Sequence, residues 1–103
     1  METGKTDEGI AASLKQQLGN NSDITDLQVK GPLLKMHVTP AMSHRLAADR
    51  ERGRKIVLML MAQMKKLTGR ADVAVWVYSE NQKFIEGNVK VFGGDNVNYL
   101  FDL

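Results

Sequence analysis

Thr39-Pro40 and Gly69 bracket the segment that most constrains this fold. Threonine offers a side-chain oxygen for a helix N-cap, and proline fits the first helical position because its missing N–H has no partner there. Glycine after Leu67-Thr68 supplies a helix stop. The bounds predict one helix over 40–68, up to 29 residues and about 43 Å at the standard rise. Such a helix is long for a 103-residue chain, so whatever else forms must pack against it.

Within this segment lies KIVLMLMAQMKKL (55–67), which holds seven consecutive apolar residues, Ile56–Ala62. A membrane span needs about 20, so a transmembrane reading fails. Placed at 100° intervals, Leu46, Ile56, Val57, Leu60, Met64 and Leu67 share one arc and form a core stripe. Gly53 falls in the middle of that arc, where a missing side chain permits close approach by another element. Leu58, Met59 and Ala62 point elsewhere, between Lys55 and the Lys65-Lys66 pair. Three readings of this second patch stay open: a short N-terminal helix covers it, a second copy covers it, or it is exposed. A small core gains from association, so the size of the chain favours a homo-oligomer, in the simplest case a dimer.

Around the long helix the periodicity changes. Ile10, Leu14 and Leu18 recur at helical spacing before Gly19-Asn20-Asn21, which predicts a short helix over 9–18 after a flexible tail at 1–8. Across DLQVKGPLLKMHV the apolar phase flips at Gly31-Pro32: Leu27 and Val29 are odd, Leu34, Met36 and Val38 even. A bulge or bend within one strand absorbs the flip; a tight hairpin is the alternative, but Gly-Pro is a poor two-residue hairpin loop. After Gly69 three strands are expected, DVAVWVY (72–78), FIEGNVKVF (84–92) and VNYLFDL (97–103), with turns at Glu80-Asn81-Gln82 and Gly93-Gly94-Asp95-Asn96. The first is apolar on both faces, as a central strand would be. The expected fold is a single α+β domain over 9–103: an antiparallel sheet of about four strands in β-α-β-β-β order, packed on one long helix. In element order alone this resembles cystatin-like architecture; no inhibitor motif of that family accompanies it, and a fold does not license a function.

Charge is unevenly placed although the net value is only +2. Residues 1–30 carry −2, residues 31–70 carry +7 and residues 71–103 carry −3. Arg45, Arg52, Arg54, Lys55, Lys65, Lys66 and Arg70 lie mostly off the core arc of the long helix. One reading is a stripe that follows phosphates. The plainer one is a solvated helix face, with Glu51 and Lys55 as an i,i+4 pair and lysines complementing the helix dipole. Trp76 and Tyr78 share the sheet face opposite Val73, Val75 and Val77, with Phe84, Lys90 and Leu100 expected near them. One reading is a base-stacking face, but Glu86 and Asp102 on the same face repel phosphate, and the plainer reading of the tryptophan is buried packing.

Chemistry-bearing constellations are sparse. The chain has no cysteine, so disulfides, thiolate catalysis and cysteine-ligated zinc are excluded; this fits a cytoplasmic setting. The start METGKTDEGI lacks the apolar region of a signal peptide. Its Gly4-Lys5-Thr6 lacks the upstream glycine and strand of a phosphate-binding loop. His37 and His44 stand at no metal-ligand spacing, and Ser43-His44 is no dyad because helix neighbours do not face each other. The expectation is therefore a non-enzymatic binding or accessory protein without cofactor or metal. Its leading partner is nucleic acid, DNA or RNA, met through the basic helix face; the alternative is a homo-oligomeric protein-interaction module with no nucleic-acid role. No membrane association is expected.

Overall fold

A computed structural model describes residues 7–18, 23–90 and 94–100. Three helices and five strands follow in the order α1 (Asp7–Leu18), β1 (Ile24–Lys30), β2 (Leu33–Val38), α2 (Pro40–Ala48), α3 (Arg50–Thr68), β3 (Ala74–Ser79), β4 (Gln82–Lys90) and β5 (Gly94–Tyr99). The α+β class is as expected, but the sheet is mixed and has five strands in the order β1-β2-β3-β4-β5. All pairs are antiparallel except β2 and β3, which run parallel. The helical crossover between them forces this, since it carries the chain back to the end where β2 began.

The extra strand arises at Gly31-Pro32. The chain makes a tight hairpin there, with Lys30 opposite Leu33, and not one bulged strand. Gly31 has φ 61, the positive value that the first position of a type II′ turn requires, and proline's fixed negative φ suits the second. The reversal also explains the phase flip, because Val29 and Leu34 then face each other on the same side.

The long helix is broken. Thr39 caps it as expected, accepting from the Met42 N–H at 3.2 Å, and Gly69 ends it in the left-handed conformation at φ 71. At Asp49, however, the backbone leaves helical geometry (φ −129, ψ 80) and the carboxylate caps a new helix, accepting from the Arg52 N–H at 3.2 Å. The result is a nine-residue and a nineteen-residue helix.

One hydrophobic core lies between the helices and one face of the sheet. It joins Ile10 and Leu14 of α1, Leu46 of α2, Val57, Leu60, Met61 and Met64 of α3, and the inward residues of β1 to β4. The buried arc of α3 is turned toward Met61 relative to the expected stripe, while Ile56 and Leu67 are only partly buried. Gly87 on β4 accounts for the turn: a Cβ there would stand 2.6 Å from Val57 Cγ1 and 2.9 Å from Met61 Sδ. Its absence lets the helix settle against the strand.

Other boundaries also move. Helix α1 begins at Asp7, inside the expected tail; residues 1–6 and the stop at Gly19-Asn20-Asn21 lie outside the described residues. The β3–β4 turn is Glu80-Asn81 alone, both at positive φ, and Gln82 already belongs to β4. Gly94, Asp95 and Asn96, expected in a turn, pair with Lys90, Val89 and Asn88 as part of β5. The remainder of the expected third turn and strand ends, 91–93 and 101–103, lie outside the described residues.

Candidate nucleic-acid interface

The candidate surface is the outward side of α3. Its inward side is fixed by Gly53, Val57, Leu60, Met61 and Met64, so at 100° per residue Lys55, Lys66, Ala62 and Met59 form the ridge farthest from the sheet, flanked by Glu51 on one side and Arg52 on the other. All four ridge residues are exposed, and Met59 is the most exposed large apolar residue described, at 45%. From Arg52 to Lys66 the ridge and its flank run about 21 Å.

The seven expected cations divide into two groups. Arg45 is paired with Asp23, and Lys65 Nζ donates to Asp95 Oδ1 at 2.8 Å, which ties α3 to β5. Arg52, Arg54, Lys55, Lys66 and Arg70 are exposed and make no ion pair among the described residues. The i,i+4 pair expected between Glu51 and Lys55 is not formed. Arg52, Lys55 and Lys66 lie on or beside this ridge, Arg54 is about 100° round the helix and Arg70 follows its end; Glu51, exposed on the flank of the ridge, offsets part of their positive field.

Of the expected oligomer contacts, Leu58 packs against the protein's own core and is partly buried. It lies only about 20° from Lys65 around the helix, on the flank that Lys65 anchors to β5. Helix α1 packs on β1 and α3 and contributes Ile10 and Leu14 to the core. Met59 and Ala62 remain exposed.

At the start of α3 the sequence reading missed an aromatic contact. The Arg50 guanidinium lies 4.9 Å from the Tyr99 ring centroid. The Tyr99 hydroxyl in turn donates toward the carbonyls of Leu46, at 3.2 Å, and Arg50, at 3.0 Å, and so bridges the break between α2 and α3. Burial pushes the Tyr99 phenol above its usual range, aided by Asp49 and Glu51 and opposed by Arg50.

Trp76 and Tyr78 stand half-buried on the other side of the sheet, on its central strand. Phe84 is not beside them. An irregularity in the β3–β4 register leaves Phe84 without an opposite residue, and both Phe84 and Ile85 turn into the core. Leu100 is exposed on this side, and the Lys90 side chain lies outside the described atoms. The structure adds neighbours that the sequence reading did not name. Lys83 Nζ is 3.9 Å and Lys35 Nζ 5.8 Å from the Trp76 ring centroid, and His37 stacks on Tyr78 with centroids 4.9 Å apart and planes 14° from parallel. The β2–β3 pairing, Lys35 opposite Trp76 and His37 opposite Tyr78, creates two of these contacts, and the β3–β4 pairing brings Lys83 to Trp76, so no local signal announced them.

Among the described residues no group of three or more potential ligands is placed to hold a metal, and no helix is long and apolar enough to cross a membrane. Searches against protein-family models, curated proteins and solved structures find no match to this chain.

Proposed function

We propose that this is a non-enzymatic nucleic-acid-binding protein that meets phosphates along the outward ridge of α3. The observation that carries the reading is the division of the cations. Where Arg45 and Lys65 serve the fold through Asp23 and Asp95, Arg52, Arg54, Lys55, Lys66 and Arg70 are exposed with no ion-pair partner among the described residues. The Glu51–Lys55 pair that would add to the plainer alternative, a solvated helix face, is not formed. Phosphate contacts of this kind are sequence-independent and weaken steeply with salt. The test is fluorescence anisotropy of labelled single- and double-stranded DNA and RNA at low ionic strength. Binding of at least one of these that falls with salt supports the reading; no binding of any removes it.

The rival reading, a homo-oligomeric interaction module, is favoured by one feature: Met59, with Ala62 beside it, leaves an apolar spot on the same ridge between two cationic ends. Sedimentation of the chain with and without oligonucleotide separates the two readings.

A further inference from the structure

The sheet face turned away from the helices carries three rings on two neighbouring rungs of the parallel β2–β3 pair. Trp76 lies opposite Lys35, and Tyr78 opposite His37. Two residues along a strand place these rungs about 7 Å apart. His37 and Tyr78 already stack nearly parallel, 14° between planes, so their rings form one slab. Trp76 sits under the Lys83 ammonium, 3.9 Å from its centroid, with Lys35 farther off at 5.8 Å. Two carboxylates share this face: Glu86, opposite Trp76 and 3.8 Å from Lys83, and Asp26, opposite His37. Lys35 makes no ion pair among the described residues.

Flat rings flanked by the Lys35 and Lys83 ammoniums are complementary to a ligand that combines planar bases with phosphates. A duplex hides its base faces in its own stack; a single strand offers them. We infer that this sheet face is a second binding surface, specific for single-stranded nucleic acid, on which bases stack on Trp76 and on the His37–Tyr78 pair while Lys35 and Lys83 meet the phosphates. A base that settles on Trp76 displaces the Lys83 ammonium from the ring. Stacking on an aromatic ring outweighs an exposed cation–π contact, and the contact to the incoming phosphate replaces the long, weak Lys83–Glu86 pair, so the exchange is favourable. The inference takes its partner class from the proposed function but places it on the opposite face of the molecule from α3.

Trp76 is the single tryptophan, so its emission reports on this face alone. The experiment titrates the full chain with a short oligothymidylate, and separately with the same strand annealed to its complement, reading tryptophan emission and anisotropy of the labelled strand together. The single strand should quench Trp76 and the duplex should not. Tyr78→Ala and Lys35→Gln should weaken single-strand binding, the former by roughly 5- to 150-fold for one lost stacking partner, while circular dichroism confirms that both variants stay folded. Anisotropy that reports binding while Trp76 emission stays constant, or quenches equally with duplex, overturns the sheet-face inference and leaves the α3 reading standing. No anisotropy change with either form, nor with their RNA counterparts, overturns both. Emission that changes with protein concentration alone shows a second copy on this face and overturns the inference.

Discussion

Gly53 of α3 and the Tyr99 hydroxyl of β5 stand so close that a Cβ at Gly53 would overlap the tyrosine oxygen. The contact joins the helix to the last strand just past the α2–α3 break, where that hydroxyl donates toward Leu46 and Arg50 carbonyls. In an exposed helix, Gly→Ala gains up to about 1 kcal/mol. Here the sign reverses, and Gly53→Ala should cost about 1–3 kcal/mol through overpacking. Tyr99→Phe should cost about 1 kcal/mol alone, yet it removes the overlapping oxygen. A double-mutant cycle by urea denaturation should therefore show the two changes together costing less than their sum. Strict additivity would mean that the helix does not approach the strand this closely.

The raised pKa of Tyr99 carries a pH dependence. Burial favours the neutral phenol, so the unfolded chain loses its proton at lower pH than the folded one. Between those two values the folded state binds more protons, and stability falls as pH rises. The contribution is fully present below about pH 10, the unfolded value, and is lost as pH climbs through the folded value. Thermal melts across the alkaline range should show a decline that is shallower in Tyr99→Phe.

Leu58 and Met59 are adjacent in sequence but should respond differently to charge. Leu58 packs on the core and Met59 is 45% exposed. Leu58→Asp should destabilise by about 1–3 kcal/mol, because it strips apolar contacts and desolvates a carboxylate. Met59→Asp should leave the melting temperature within the experimental spread. If a second copy covers the ridge, Met59→Asp should also lower the sedimentation coefficient, whereas an unchanged monomer in both forms would argue against the homo-oligomeric reading.

Gly87 supports the central packing. Gly87→Ala should cost about 1–3 kcal/mol, since the new methyl meets Val57 at 2.6 Å and Met61 at 2.9 Å. Met61 is flexible enough to yield, and Val57 is not, so Val57→Ala in the Gly87→Ala background should recover part of the loss. A near-neutral Gly87→Ala would contradict the close approach of α3 to β4.

Much of the framework was legible because local chemistry decided it. Thr39-Pro40 and Gly69 set helix ends through caps that depend only on neighbours, and both formed as read. What escaped were decisions made between distant segments. Asp49 has no sequence mark of a break comparable to glycine or proline; its capping of the Arg52 N–H is local, but the Tyr99 bridge across the gap needs β5 in place. Gly31-Pro32 was ambiguous because the phase flip fits both a bulge and a reversal, and only the φ of Gly31 distinguishes them. The basic ridge was visible as composition. Its division into paired and unpaired cations depends on Asp23 and Asp95, which lie 22 and 30 residues from Arg45 and Lys65. The Lys35–Trp76 and His37–Tyr78 contacts depend on a parallel pairing that the expected antiparallel sheet did not contain.

The central claim, that the unpaired cations of α3 meet phosphates, is tested most directly by the salt dependence of binding. The measurement is the slope of log affinity against log salt for the natural chain and for Lys55→Gln/Lys66→Gln, on whichever oligonucleotide binds at low salt. Each lost phosphate contact should reduce the slope by roughly 0.7 to 0.9, so the double variant should flatten it by roughly 1.4 to 1.8. Arg45→Gln, which removes a cation already paired with Asp23, should change it much less. Equal slopes for the natural chain and the Lys55/Lys66 variant would contradict the account.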